Sequence, residues 1–389
     1  MRIVVVHNRY RSAQPSGENN VVDREVALLR SGGHEVTLFS RDSDSISDMS
    51  IVDKALVPLR VPWNREVRST LAGVLRSVRP DVVHVHNTFP LLSPSVVAAC
   101  TDAGVPVVAT LHNYSMICPP GTLYRDGRVC TSCVGRVPLP AVQHGCYRDS
   151  ALATVPVALN LTVNRQRWWS DVSRFFCISA AQRQLLIQGG MPASRMSVKH
   201  NFVPDPGVRR TGPGEHVLFL GRLTEEKGVG LLMSAWERAS VGLPLVIAGT
   251  GPMEDEVAQW ASSRSDVRYV GLQDAAGCRA LTASAATVVV PSTWLEAFGL
   301  VVVEAMAAGV PTVAAAHGAF VELVDDGVTG VLHRPGDPES LASALEAGVK
   351  LPGDAARARY ERDFTPEVGL ARLEEGYRAA MAGTLAESV

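Results

Sequence analysis

The stretch "ATVVVPSTWLEAFGLVVVEAMAAGVPTVAAA", Ala286 to Ala316, reads as three consecutive elements. A β-branched apolar run ends at Pro291, a helical pattern spans Gly299–Ala308, and a second short apolar run follows at Pro311. Two strands joined through a helix form a crossover, which lays the strands parallel and covers the sheet they build. Glu296 and Glu304 stand eight positions apart inside this otherwise apolar segment. Either they are solvated, or they hold something polar where the chain prepares for burial.

The same alternation extends outward. Before this stretch come "HVLFLG", a helix over Val229–Arg238, "PLVIAG", a helix over Met253–Ser262, and "VRYVG". An earlier series runs "RIVVVH", a helix over Glu18–Ser31, "HEVTLFS", a helix over Asn64–Val78, "DVVHVH", a helix over Pro94–Ala103, and "PVVATLH". A long helix near Leu152–Trp169 and the strand "RFFCIS" close that series. The Pro-, Gly- and Arg-rich "NFVPDPGVRRTGPGEH" separates the two as a linker. The pattern predicts an α/β protein of two Rossmann-like domains facing each other across a cleft. Their expected bounds are residues 1–200, with a Cys-rich insertion at about 114–148, and residues 201–365, followed by a C-terminal helix over 366–389.

At 389 residues the chain exceeds one ordinary core, in keeping with two domains. With 46% hydrophobic and 20% charged residues it reads as globular. No run of eighteen uncharged apolar residues occurs, and the N-terminal run is too short for a signal-peptide core, so the expected location is the cytoplasm. Residues 1–200 hold 22 Lys+Arg against 14 Asp+Glu, and residues 201–389 hold 15 against 25, so the halves are electrostatically distinct. Only Lys54, Lys199, Lys227 and Lys350 are lysines, so a Lys at a motif position gains weight.

In open α/β sheets ligands bind beyond the carboxyl ends of the strands. After "HVLFLG" the loop "GRLTEEKG" places Arg222 and Lys227 where a helix begins, either as solvated loop charges or as a grip for phosphate. After "PLVIAG", "GTGPMEDE" carries a Gly-x-Gly that reads as a strand-to-helix turn. After "ATVVVP", Glu296 precedes the helix start at Phe298, Gly299 and Leu300, where free N–H groups favour an anion. Glu304 lies one turn in, among Val301, Val302, Val303, Ala305 and Met306, which leave little wet helix face.

These residues together resemble the retaining glycosyltransferases of family 4, which have the GT-B fold. "GRLTEEKG" and the Glu-x7-Glu of "EAFGLVVVEAMAAGVP" look like that family's signatures, and the resemblance covers nearly the whole chain. It implies that Arg222 and Lys227 hold the donor diphosphate. Glu296 and the Phe298–Leu300 backbone would hold the donor sugar, and Glu304 the ribose hydroxyls. His112 in "ATLHNY" matches the family histidine that faces the sugar. Gly17 in "PSGENNVV" keeps one glycine of the family's first loop, with Ser16 in place of the other, and Phe202 follows Asn201 where the linker motif usually has glycine.

Cys118-x11-Cys130-x2-Cys133-x12-Cys146 has spacing suited to a structural, tetrahedral zinc, with disulfides or inert thiols as the alternative. On the helix predicted over Asn64–Val78, Arg65, Arg68, Arg76 and Arg79 oppose an apolar stripe, either as a solvated face or as an attraction to an anionic acceptor or membrane surface, with Trp63 beside it. Asp42 and Asp44 read as an ordinary loop after a strand, not as metal ligands. The expected activity is metal-independent transfer of a sugar from a nucleotide diphosphate sugar to an acceptor hydroxyl on a glycan, a lipid-linked or a small molecule. No nucleic-acid partner is expected, and any contact with the inner membrane face is expected to be peripheral. A nucleotide-sugar epimerase of the same fold would act without acceptor, and a non-catalytic binder without turnover. A glycosidase would leave Arg222 and Lys227 without a role.

Overall fold

Short β-branched runs flanked by turn residues form the parallel strands that their composition calls for. The computed structural model describes residues 1–12 and 16–387. The chain divides into two compact units, the first made of Met1–Leu123, Thr131–His200 and the chain from Gly369 onward, the second of Tyr124–Cys130 and Asn201–Val368.

In the first unit the strands are β1 (Arg2–Arg9), β2 (Glu35–Asp42), β3 (Val82–Asn87) and β4 (Val107–Leu111). The antiparallel hairpin β5 (Tyr124–Arg125) and β6 (Arg128–Val129), which belongs to the second unit, interrupts the series before β7 (Arg174–Cys177) and β8 (Met196–Val198). The sheet order is β2-β1-β3-β4-β7-β8, every neighbouring pair parallel. Ile3 and Val5 of β1 pack with Val22, Val26 and Leu29 of the helix Gly17–Ser31 and with Leu373 and Tyr377 of the C-terminal helix. That helix, Pro366–Glu387, therefore serves mainly the first unit although it starts in the second.

The second unit holds β9 (His216–Leu220), β10 (Leu245–Ala248), β11 (Val267–Tyr269), β12 (Ala285–Val290), β13 (Thr312–Ala315) and β14 (Gly330–His333), ordered β11-β10-β9-β12-β13-β14 and again parallel throughout. One face packs Val217, Phe219, Ile247 and Val289 against Leu232, Trp236, Leu341 and Leu345, and the other packs Leu218, Val246 and Val288 against Ala305 and Val310. The crossover read from Ala286–Ala316 is present as β12, the helix Leu300–Ala307 and β13.

Several elements depart from the sequence reading. The helix expected over Leu152–Trp169 is two helices, Ala151–Val163 and Arg165–Asp171, divided at Asn164, whose amide donates to the carbonyl of Pro62 at 2.9 Å. The edge strands β8 and β14 are three and four residues long and carry no clear alternation. Ile51–Arg60 is a helix despite Pro58, started by Ser50, whose hydroxyl accepts from the Asp53 N–H.

Candidate active site

In the second unit, three loops at the carboxyl ends of β9, β10 and β12 approach one another, and glycine makes the approach possible. Gly228 has φ +74°, and a Cβ there would lie 2.1 Å from the Pro291 carbonyl oxygen. Any side chain would push the Arg222–Lys227 loop away from the end of β12. Gly299 has φ +106° and a Cβ there would meet Phe320 at 2.6 Å, and the helix Leu300–Ala307 that it precedes has no side-chain cap. The Val302 N–H turns back to the Gly299 carbonyl at 3.0 Å, and the N–H groups ahead of it suit another acceptor.

Lys227 and Glu296, 69 residues apart, meet here. Lys227 Nζ donates to Glu296 Oε1 at 2.5 Å, Ser292 Oγ donates to the same oxygen at 3.1 Å, and the ammonium lies 5.1 Å from the Trp294 ring centroid. Burial alone would raise the Glu296 carboxyl, but the charge and hydrogen bond of Lys227, helped by Ser292, hold it below the usual carboxylate range. Arg222 is more than half exposed and its guanidinium lies 3.6 Å from Glu226. Phe298 is buried, Leu300 half-buried, and Glu304 partly buried, close enough to help burial push the Cys278 thiol up. The structure thus joins Lys227 to Glu296 directly and sets Glu304 apart, on the side of the helix Ala275–Ser284.

In the first unit, β3 and β4 carry a buried polar cluster. His84 Nδ1 bonds to the Tyr377 hydroxyl at 2.7 Å and its Nε2 to Thr110 Oγ1 at 2.8 Å. His86 Nδ1 and His112 Nε2 are 3.0 Å apart with the rings stacked. Beneath them Glu25 and Lys199, each about 1% exposed, form an ion pair, and Glu25 Oε2 lies 3.7 Å from His86 Nε2. Burial first, then the positive charge of Lys199, pushes His84 and His112 well below the usual histidine range; in His86, burial acts first and its histidine neighbours add to Lys199. His112 is therefore a neutral hydrogen-bonding imidazole at physiological pH. Gly17 opens the helix Gly17–Ser31, and Ser16 is its N-cap, accepting from the Asn19 N–H at 3.3 Å. The serine that replaces a family glycine thus has a local structural use.

The sequence singled out His112 but not Glu25, His84, His86 or Lys199. Two signals were present: two histidines at alternate positions of an apolar strand, and one of only four lysines in the chain.

In the Cys-rich segment, Cys118 and Cys133 are buried. Burial pushes the Cys118 thiol up to about 11, opposed by N–H groups of Leu123, Gly121 and Thr122 directed at its sulfur, with Cys133 near enough to raise it further. Asp44 accepts from the Ser12 N–H at 3.1 Å and stands just before a short helix without bonding to its N–H groups, as an ordinary loop acid does. Of the expected Arg stripe, Arg65, Arg76 and Arg79 are exposed, Arg79 in a left-handed C-cap, and Arg68 pairs with Asp102.

Family models match both parts of the chain: "Glycosyltransferase Family 4" over residues 15–205 and "Glycosyl transferases group 1" over residues 214–350. A phosphatidyl-myo-inositol mannosyltransferase of Mycobacterium leprae is 39% identical over 364 residues, covering 89% of this chain and 86% of that protein. The chain belongs to glycosyltransferase family 4. This transferase is also 29% identical to a glycogen synthase of Mycobacterium tuberculosis over 98% of its own length and 96% of that protein's. Its fold matches sucrose-phosphate synthase from Thermosynechococcus elongatus with a TM-score of 0.70 at 16% identity, covering 98% and 99% of the two chains. It also matches Anabaena HepE, solved with UDP, with a TM-score of 0.65 at 20% identity, covering 96% and 99%. The two parallel α/β units are those of a GT-B glycosyltransferase.

Proposed function

We propose that this glycosyltransferase moves a sugar from a nucleotide diphosphate sugar to an acceptor hydroxyl, with retention at the anomeric carbon and no catalytic metal. The observation that carries the reading is the joint presence, at the ends of β9 and β12, of Lys227 paired to buried Glu296 and of an uncapped helix start at Gly299. An ammonium and a set of free backbone N–H groups suit the charge that develops on a departing diphosphate, and they are already oriented before the reaction. HepE structures with UDP and UDP-glucose support a donor of this class.

In this reading Lys227 and the Leu300 end of the helix neutralise the leaving group, and Arg222 joins them once released from Glu226. Glu296 fixes Lys227 and faces the sugar, Glu304 takes the ribose hydroxyls, and His112 meets the sugar as a neutral imidazole. Lys227→Ala is expected to lower turnover about 10²–10³-fold and Arg222→Ala to lower it in the same direction. Near-normal rates in both variants at saturating donor would remove the diphosphate assignment.

We also propose a structural zinc held by Cys118, Cys130, Cys133 and Cys146. Three N–H groups aimed at the Cys118 sulfur suit a thiolate, the form a metal ligand takes. Bound there, the ion would cross-link a loop with little core of its own. Elemental analysis of reduced, freshly purified protein is expected to find about one zinc per chain, and protein without metal would reject the site.

A further inference from the structure

Two helices of the first unit leave apolar stripes uncovered. Ile51–Arg60 has no buried residue at all, an unusual state for a ten-residue helix, since helices this short gain most of their stability from packing an apolar face. Ile51 is 87% and Leu59 72% exposed. It packs beside Ala151–Val163, where Leu152, Val155, Leu159 and Val163 recur at helical spacing and all face solvent, Leu152 at 86%. Two neighbouring helices with such stripes exceed the scattered apolar exposure of an ordinary surface.

The flanks are cationic. Residues 51–64 and 151–171 hold four Lys+Arg, namely Lys54, Arg60, Arg165 and Arg167, and two Asp+Glu. Trp63 lies between the guanidinium groups of Arg68, 5.7 Å from its ring centroid, and Arg167, at 4.8 Å. A cavity of about 100 Å³ bordered by Val57 and Arg60 of the first helix also receives Arg41. No described helix is long and apolar enough to cross a membrane, so any membrane contact through these helices lies along the surface.

We infer that the helices Ile51–Arg60 and Ala151–Val163 form a docking surface for an anionic phospholipid bilayer, their aliphatic stripes entering the headgroup boundary and Lys54, Arg60, Arg165 and Arg167 meeting lipid phosphates. Charge decides between a bilayer and a second copy of the chain. An isologous dimer would bring the same cationic flanks face to face, whereas an anionic leaflet complements them. The inference stands on surface chemistry and does not depend on which sugar is transferred. It also relocates the membrane face from the Arg65–Arg79 stripe to the neighbouring helices.

The test is co-sedimentation of the full chain with vesicles of phosphatidylcholine and phosphatidylglycerol, beside vesicles of phosphatidylcholine alone. The wild type is expected to bind the anionic vesicles, and to bind them less as salt rises. Combining Leu59→Ser, Leu152→Ser and Leu159→Ser should weaken binding at least about tenfold. The three side chains are solvent-facing, so an unchanged thermal midpoint is expected. Should that variant unfold, combined Lys54→Gln and Arg165→Gln should reduce anionic-vesicle binding instead. Wild-type protein left in the supernatant, binding unaffected by these changes, or a concentration-dependent dimer abolished by the serine variant would each overturn the bilayer assignment.

Discussion

His112 owes its chemistry to residues far away in sequence. Glu25 Oε2 faces His86 Nε2 at 3.7 Å, and neither atom has a hydrogen-bond partner, so the carboxylate favours a proton on that nitrogen. His86 Nδ1 then accepts, His112 Nε2 donates across 3.0 Å, and His112 Nδ1 keeps its lone pair. Nitrogen-15 NMR of the histidines at neutral pH is expected to find His112 protonated on Nε2. Glu25→Gln combined with Lys199→Met removes both buried charges together, sparing either from being left unpaired, and should redistribute that tautomer without unfolding the chain. Wild-type His112 protonated on Nδ1 would reject the relay. The glutamates separate by their partners: Glu296→Gln should depress turnover without weakening nucleotide diphosphate, since it removes a carboxylate competing for Lys227. Glu304→Gln should weaken the nucleotide by about 1.5–3 kcal/mol if a hydrogen bond to a charged group is lost. Calorimetry finding equal losses in both would refute this division. Motif spacing marks Lys227 and Glu296 in the sequence, whereas only the resemblance to the family singles out His112. The Glu25–Lys199 pair could not, because 174 residues separate its members and each sits in an ordinary amphipathic or edge segment.

At the scale of elements, periodicity located the strands that lie in sheet interiors and missed those whose support is tertiary. β8 and β14 are edge strands held by register to β7 and β13, with too few residues to show a period. The helix Ile51–Arg60 was hidden by Pro58 and by an apolar face that packs on no core. The division at Asn164 arises from a side-chain bond to Pro62, which local pattern cannot reveal. The helix Leu300–Ala307 was legible because its strand, loop and glycine start lie in one continuous stretch, and its position makes a sharp prediction. Gly299→Ala would place a methyl 2.6 Å from Phe320 in a left-handed backbone, at a cost of about 1–3 kcal/mol. The helix start should shift, so turnover is expected to fall together with the melting midpoint. A stable variant with normal rates would show that the helix N-terminus takes no part in holding the donor.

Over the whole molecule, both units bury histidines in their neutral form, and this sets how the fold responds to acid. His84, His86 and His112 titrate well below the ordinary imidazole range, about 6.5, and burial lowers His333 of β14 to about 4. A group with a depressed folded pKa binds fewer protons folded than unfolded, so unfolding takes up protons as pH falls below 6.5. The stability these residues contribute is complete above about pH 6.5. It is lost as pH falls, down to about 4 for His333 and further for the cluster, at about 1.4 kcal/mol per pH unit for each histidine within its window. Glu296 acts in the same direction but lower, because its folded pKa lies below 4.5 and its contribution fades only as pH falls through the carboxylate range. Denaturant midpoints should therefore be steady above about pH 7 and already decline between about pH 6.5 and 5, before most carboxylates titrate. His333→Gln should remove about one proton's share of that slope, since its imidazole is buried and bonded to the Arg334 carbonyl. Midpoints unchanged between about pH 7 and 5 would mean that the folded and unfolded chains take up protons alike over that range, so that burial does not hold these imidazoles neutral, and the reading of His112 as a group kept neutral by burial would fall.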